Sequence, residues 1–266
     1  MRLHITHSTR YQYDEPVDYA LQQLRMVPKQ STGQSVIDWA IKIEGGKREL
    51  GYMDYHRNHV DLISFERGAT SITITSGGEV DVSLSNGIVG PHIGVAPLWL
   101  FMRQTPLTRP GPGIRRLATQ LVTGTRGDVA HLHALSAAIG ESVTYKTGET
   151  DSITTAEQAF SGQAGVCQDH AHIFLSAARL LGYPARYVSG YLMMNDRIDQ
   201  NASHAWAEVH LPELGWVGFD VSNGICPDER YIRVATGLDY KEAAPASGMR
   251  YGNSQENMIV SLQVQQ

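Results

Sequence analysis

From the start of the chain to about residue 85 the apolar positions alternate. Leu3 and Ile5 are spaced by two, as are Tyr11 and Tyr13, then Trp39, Ile41 and Ile43, with Val36 before them and Gly45-Gly46 after. Tyr52 to His56, Val60 to Phe65, Ser71 to Thr75 and Val80 to Leu84 continue the series, with Asn58 and Gly68 as turn residues between them. A period of two marks a half-buried strand, and short strands broken by turn residues predict an antiparallel sandwich. Gln22 to Pro28 fits no element and reads as a connection. His4, His7, His56 and His59 lack close metal-ligand spacing, so they are assigned surface or packing roles.

Residues 86–113 are rich in Pro and Gly and end in Pro110-Gly-Pro-Gly113, which predicts a seam between domains at 1–105 and 106–266. The period then lengthens. Ile114 to Val122 reads as a helix. Val129, Leu132, Leu135, Ile139 and Val143 space out a second, with Asp128 near its start, and Thr155 to Phe160 a short third. A fourth carries the stripe Cys167, Ala171, Phe174, Ala178 and Leu181, set off by Gly162 and Gly165 and stopped by Gly182 and Pro184. Alternation returns from Ala185 to Met194 and from Ser203 to Leu211. In the latter His204, Trp206, Glu208 and His210 share one face and Ala205, Ala207 and Val209 the other. Pro212 to Gly215 is a turn and Trp216 to Val221 the return strand. Tyr231 to Val234 is a strand, Gly237 to Gly252 a loop and Met258 to Val264 a closing strand. The expected class is α+β, a β-sandwich-like domain followed by helices packed on an antiparallel sheet.

Charge narrows the functions. The 266 residues carry a net charge of −5 with no basic run, which argues against a nucleic-acid surface. Two cysteines, Cys167 and Cys226, exclude a disulfide framework and suit a reducing compartment. Met1 to His7 has no apolar run, so neither a signal peptide nor a membrane span is expected, and the cytoplasm is the expected location.

The chemistry centres on Cys167. A thiol in the first turn of a helix meets unpaired N–H groups and the positive end of the dipole, which favour the thiolate. Position alone also fits an inert cysteine on a core stripe. A nucleophile needs a base and a group to orient that base. His204 and Asp220 stand symmetrically about Pro212, so a hairpin turning there brings them together, within a register uncertainty of a residue or two that a bulge could absorb. The helix must pack on a sheet face, and His204 on that face would meet the thiol.

Gly165-Val-Cys-Gln-Asp-His-Ala-His172, Leu181-Gly-Tyr-Pro-Ala-Arg-Tyr-Val-Ser-Gly-Tyr191, Ser203-His-Ala-Trp-Ala-Glu-Val209 and Gly215-Trp-Val-Gly-Phe-Asp220 with Asn223-Gly224 resemble the bacterial transglutaminase-like family, provisionally regarded as cysteine proteases. Tyr11-Gln-Tyr13, Pro16-Val17 and Leu24-Arg25 resemble its amino-terminal β domain. The resemblance implies a papain-like core with Cys167 as nucleophile, His204 as base and Asp220 as orienter. It departs from the family pattern at His170, where an apolar aromatic is usual, and at Val221-Ser222, where Pro-Thr is common. The Cys167 N–H would serve one side of an oxyanion hole. Gln163, Tyr187 and Trp206 are candidates for the second donor or for substrate contact. Gln168 and Asp169 are expected to fix the helix start, and Trp206 and Trp216 either to line an acyl groove or to pack in the core.

The expected reaction is thiol-dependent cleavage of a peptide or isopeptide bond, with a peptide or protein substrate and no cofactor. A zinc site at Cys167, His170 and His172 is disfavoured because positions i and i+5 diverge on a helix. A CoA-dependent arylamine acetyltransferase would carry a different context around its cysteine. A silent binding module would have lost a triad residue. Transglutaminase-type transfer to an amine shares the thioester. Ser189, Glu208 and His210 beside the triad predict a polar groove that admits water, favouring hydrolysis.

Overall fold

The computed structural model describes residues 1–121, 129–252 and 254–266. Val122 and Asp128, two of the expected helix positions, lie outside the described residues. The first third is β: β1 (Arg2–Val17), β2 (Tyr19–Leu24), β3 (Gln34–Glu44), β4 (Gly46–Met53), β5 (His59–Phe65) and β6 (Ala69–Val82). Next come β7 (Ile88–Gly90), a 3-10 helix (Leu98–Met102), α1 (Pro112–Gln120), α2 (Val129–Ser142), β8 (Thr144–Tyr145), α3 (Ala156–Gly162), β9 (Ala164–Gly165) and α4 (Cys167–Leu180). The rest is β10 (Ala185–Leu192), β11 (Asp199–Gln200), β12 (His204–Leu211), β13 (Gly215–Phe219), β14 (Tyr231–Gly237), α5 (Tyr240–Ala243), β15 (Ala246–Tyr251) and β16 (Glu256–Gln265).

One sheet runs β11-β16-β1-β6-β3 and a second β15-β2-β5-β4. Tyr11, Tyr13, Leu24, Ile63, Ile72 and Ile74 fill the space between them, which makes the expected sandwich. The core sheet runs β14-β10-β12-β13-β7. On one of its faces α4 packs Ala171, Phe174 and Ala178 against Ala205, Ala207 and Val209. On the other, Leu3, Ile5 and Val80 of the first sheet meet Tyr191, Ile232 and Val234. The core sheet is therefore covered on both sides, and β12 is buried along almost its whole length.

Several elements differ from the periodicity reading. Gln22 to Leu24 is not a connection but the end of β2, paired with both β5 and β15. Residues 54–58 turn between β4 and β5 rather than extending a strand. The stretch 237–252 is not a loop: it holds α5 and β15. Within 86–113, β7 pairs with β13, so part of the seam is an edge strand of the core sheet. β15 pairs with β2 and β16 with β1, so the end of the chain completes the sheets begun by its start. Among the described residues no helix is long and apolar enough to cross a membrane.

β6 is one strand where the sequence shows two, because Gly77-Gly78 interrupts its alternation without breaking it. Gly78 has φ +155°, and a β-carbon there would overlap the Asp38 carbonyl oxygen, opposite the register shift in β3 between Val36 and Asp38. Gly78→Ala is expected to cost about 2–3 kcal/mol through backbone strain and overlap. Urea unfolding of the variant measures this, and an unchanged midpoint would mean that the β3 bulge yields freely.

Candidate active site

Helix α4 is fixed at both ends by its own sequence. Val166, its N-cap, has extended backbone and no side-chain oxygen, so capping falls to Asp169. Asp169 Oδ2 accepts the Val166 N–H at 2.8 Å and the Thr150 hydroxyl at 2.6 Å. This carboxylate lies so close to Gly165 that a β-carbon there would sit 2.7 Å from it, which explains the glycine two residues before the thiol. Gln168 makes only a long contact, 3.5 Å, with the Asp151 carbonyl. At the far end Gly182 (φ +88°) closes a Schellman motif: Tyr183 N–H donates to the Ala178 carbonyl at 3.0 Å and Gly182 N–H to that of Arg179 at 3.0 Å.

Between these ends α4 is buried all round from Asp169 to Arg179, not on one stripe. Most of its polar side chains are tied to named partners, the buried Ser176 hydroxyl being an exception. His170 Nε2 donates to the Val143 carbonyl at 3.0 Å, which leaves Nδ1 to accept the Ser222 hydroxyl at 2.8 Å. His172 Nε2 accepts the Tyr240 N–H at 3.1 Å. Burial lowers the pKa of both imidazoles, that of His172 to about 3. Arg179 donates to the carbonyls of Phe101, Ala185 and Leu238 and to the Thr108 hydroxyl. Among the described residues no group of three or more metal-ligating side chains converges.

β12 and β13 pair without a bulge: Ala207 opposes Phe219, Val209 opposes Val217 and Leu211 opposes Gly215. The hairpin is thus centred on Glu213, one residue beyond Pro212. Continuing that register sets Asp220 diagonally from His204, a spacing two facing side chains can bridge. They do: His204 Nε2 lies 2.6 Å from Asp220 Oδ2. The same oxygen accepts Asn223 Nδ2 at 2.7 Å and the Tyr231 hydroxyl at 2.8 Å. Burial opposes the charge on Asp220, but these donors overcome it and hold the carboxyl below its usual range. Burial also opposes the charge on His204, while Asp220 and Cys167 outweigh it and push the imidazole well up. With Nε2 taken by Asp220, Nδ1 is the ring nitrogen left for the thiol.

The helix does not pack on the His204 face. α4 covers the Ala205, Ala207 and Val209 face, and His204 belongs to the opposite set, stacked on Trp206 with ring centroids 6.1 Å apart. His204 reaches the cavity of the thiol because it is the first residue of its strand. Cys167 and His204 border one cavity of about 420 Å³, together with Tyr187, Ser189 and the segment 199–205.

The other candidates separate. Tyr187 is buried in the wall of that cavity. Gln163 is exposed at the left-handed C-cap of α3 and does not line it. Trp206 packs behind His204 with Val188, Leu192 and Tyr231, and Trp216 packs on Phe101, so neither tryptophan borders the thiol. Glu208 does not make the groove polar. It is 0% exposed and ion-paired with Arg186 at 2.6 Å and Arg233 at 2.5 Å, which hold it at about 2 against the effect of burial. His210 packs edge-on against Trp216. Of the three expected groove residues Ser189 does border the thiol cavity, and its other polar groups include Gln168, Arg197, Asp199, Gln200 and Asn201. Arg197 to Asn201, a segment that includes β11, carry no sequence pattern that marked them for this place. Cys226 lies outside the cavity, 3.9 Å from His133 Nε2, with its thiol pKa raised by burial.

Residues 115–221 match the transglutaminase-like superfamily, and residues 3–81 match the bacterial transglutaminase-like N-terminal region. An uncharacterized protein of Mycobacterium leprae is 28% identical over 99% of this chain and 98% of its own length. A protein-glutamine gamma-glutamyltransferase of Pseudomonas aeruginosa is 31% identical over 35% of this chain and 15% of that protein. A crystal structure from Cytophaga hutchinsonii, provisionally described as a cysteine protease, superposes with a TM-score of 0.79 at 20% identity, covering 99% of this chain and 90% of that one. At that identity the likeness is one of fold.

The His204–Asp220 pair couples stability to pH. An imidazole raised on folding stabilises fully below its unfolded value of 6.5 and loses that contribution as pH rises through the folded value. A carboxyl lowered on folding stabilises fully above 3.8 and loses that contribution as acid protonates it. The stability lost in Asp220→Asn is therefore expected to be largest between about pH 4 and 6.5, shrinking on both sides. Urea unfolding of both proteins across this range tests it. A difference that keeps growing toward alkaline pH would contradict the coupling.

Proposed function

The chain belongs to the transglutaminase-like superfamily, and we propose that it is a thiol-dependent hydrolase of peptide or isopeptide amide bonds. The observation that carries this reading is the Asp220–His204 contact at 2.6 Å, with Nδ1 left over beside a cavity that also holds Cys167. In this reading His204 Nδ1 already holds the thiol proton, as its raised pKa favours, and Cys167 Sγ attacks the amide carbonyl as the thiolate. The Cys167 N–H, at the start of α4, faces the oxyanion. Collapse of the intermediate breaks the C–N bond, and His204 returns the proton to the departing amine. Water then attacks the thioester with His204 as base, releasing the acid and the thiol. Asp220 keeps its charge throughout and holds the ring by Nε2–H, as the orienting acid of a triad does.

The thioester can also be taken by an amine, and the Pseudomonas aeruginosa glutamyltransferase favours that second reading. Hydrolysis is preferred because the cavity rim is polar at Gln168, Asp199, Gln200 and Asn201, whereas transfer needs a dry passage that keeps water from the thioester.

A peptide library incubated with and without a primary amine, with products read by mass spectrometry, separates the two. Free acids are expected to dominate in both arms; amine adducts in excess of acid would make this a transglutaminase. Asp220→Asn is expected to lower turnover by about 10³–10⁴-fold. Near wild-type turnover in a folded Asp220→Asn protein would mean that another group orients His204.

A further inference from the structure

A second cavity, of about 300 Å³, opens where the N-terminal region meets the face of the core sheet turned away from α4. None of its lining residues borders the thiol cavity. Four basic side chains line it, Lys29, Arg57, Arg186 and Arg233, and no carboxylate does. In a chain whose net charge is −5, such a segregation of positive charge into one cavity needs a reason.

The cations are compensated only in part. Glu208 supplies one carboxylate from behind, shared by Arg186 and Arg233. Lys29 Nζ donates to the carbonyls of His56 and Arg57, each at 2.9 Å, which leaves the third donor of the ammonium. Burial pushes this ammonium well below its usual range; Arg233 and Arg186 push it further, and Asp54 and Glu208 offset them only in part. An anion is the partner this group lacks. The rest of the wall mixes apolar Phe101, Trp216, Val89 and the exposed Ile93 with polar groups such as Ser31 and His92. The volume suits a small molecule.

We propose that this cavity binds a small organic anion, a phosphate monoester on a flat apolar body. Arg186 and Arg233 give their Nε and Nη2 to Glu208, which leaves Nη1 of each for a phosphate oxygen; three arginines against one carboxylate favour a dianion over a monoanion, and the apolar part of the wall receives the body. The site does not depend on the reaction assigned to Cys167.

Phenyl phosphate and uncharged phenol are the probes, with the full chain, calorimetry for affinity and thermal unfolding for stabilisation. Phenyl phosphate is expected to bind and raise the melting temperature, and phenol to do neither. Lys29→Met should weaken binding about tenfold and Arg57→Gln about threefold, the scale of losing a charge-assisted hydrogen bond and an exposed charge. Arg57 is exposed, so its variant keeps the test informative should Lys29→Met fail to fold. Cys167→Ser should bind as wild type does. Equal binding of phenol, no binding of phenyl phosphate, or full affinity in Arg57→Gln would overturn the proposal. Loss of binding in Cys167→Ser would also overturn it, by moving the ligand to the thiol cavity.

Discussion

The Asp220 carboxylate has no exposure to water, and a buried charge is tolerated only where donors replace its hydration. Its donors come from three places: His204 at the start of β12, Asn223 in the turn after β13, and Tyr231 at the start of β14. Satisfying this one charge therefore fixes the β12–β13 register, closes the 220–225 turn and sets where β14 begins. Asp220 N–H also donates to the Ile225 carbonyl at 2.8 Å, which returns the turn onto itself. The orientation of the His204 ring follows from this arrangement, because Nε2 has no freer place to go.

The helix that carries the thiol is joined to the same segment by a second link. His170 and Ser222 are two of the positions where the chain departs from the family pattern, and they hydrogen-bond to each other at 2.8 Å. Ser222 lies two residues beyond Asp220 and His170 three beyond Cys167, so this bond ties the strand end bearing the acid to the helix start bearing the thiol. Burial keeps His170 neutral, which lets one ring nitrogen donate to Val143 and the other accept from Ser222. Ser222 supplies the same hydroxyl that the usual Thr would, so the polar ring at His170 finds a donor in a buried position.

Local pattern made α4, its glycine stop and the β12–β13 hairpin legible, because each is written in contiguous residues. Which face of β12 the helix takes was not. Alternation says which side chains share a face, and β12 is buried on both, so the small Ala205 and Ala207 admit the helix while Trp206 and Glu208 fill the other side. Glu208 looked like a groove residue because its partners are distant in sequence, Arg186 and Arg233 on two other strands. β2 and β15 were missed for the same reason. Ala246 pairs with Leu24, and no local period announces a partner so far along the chain. Arg179 carried no signal either: its four partners lie in four separate segments.

The return of the C-terminal strands changes what the N-terminal region does for the site. β16 lies beside β1, and Leu262 and Val264 join Leu3, Ile5 and Val80 in the cluster that covers Tyr191, Ile232 and Val234 of the core sheet. β16 also pairs with β11, so the loop bordering the thiol cavity is pinned to that same sheet. A strand covered on one face only could tilt to follow its helix; β12 is held from behind by Trp206, packed on Val188 and Tyr231, and by Glu208 between two arginines. His204 stacks on that Trp206 and so inherits its fixed position. The helix face thus sets the place of the sulfur and the back face sets the place of the imidazole, through different side chains of the same core sheet.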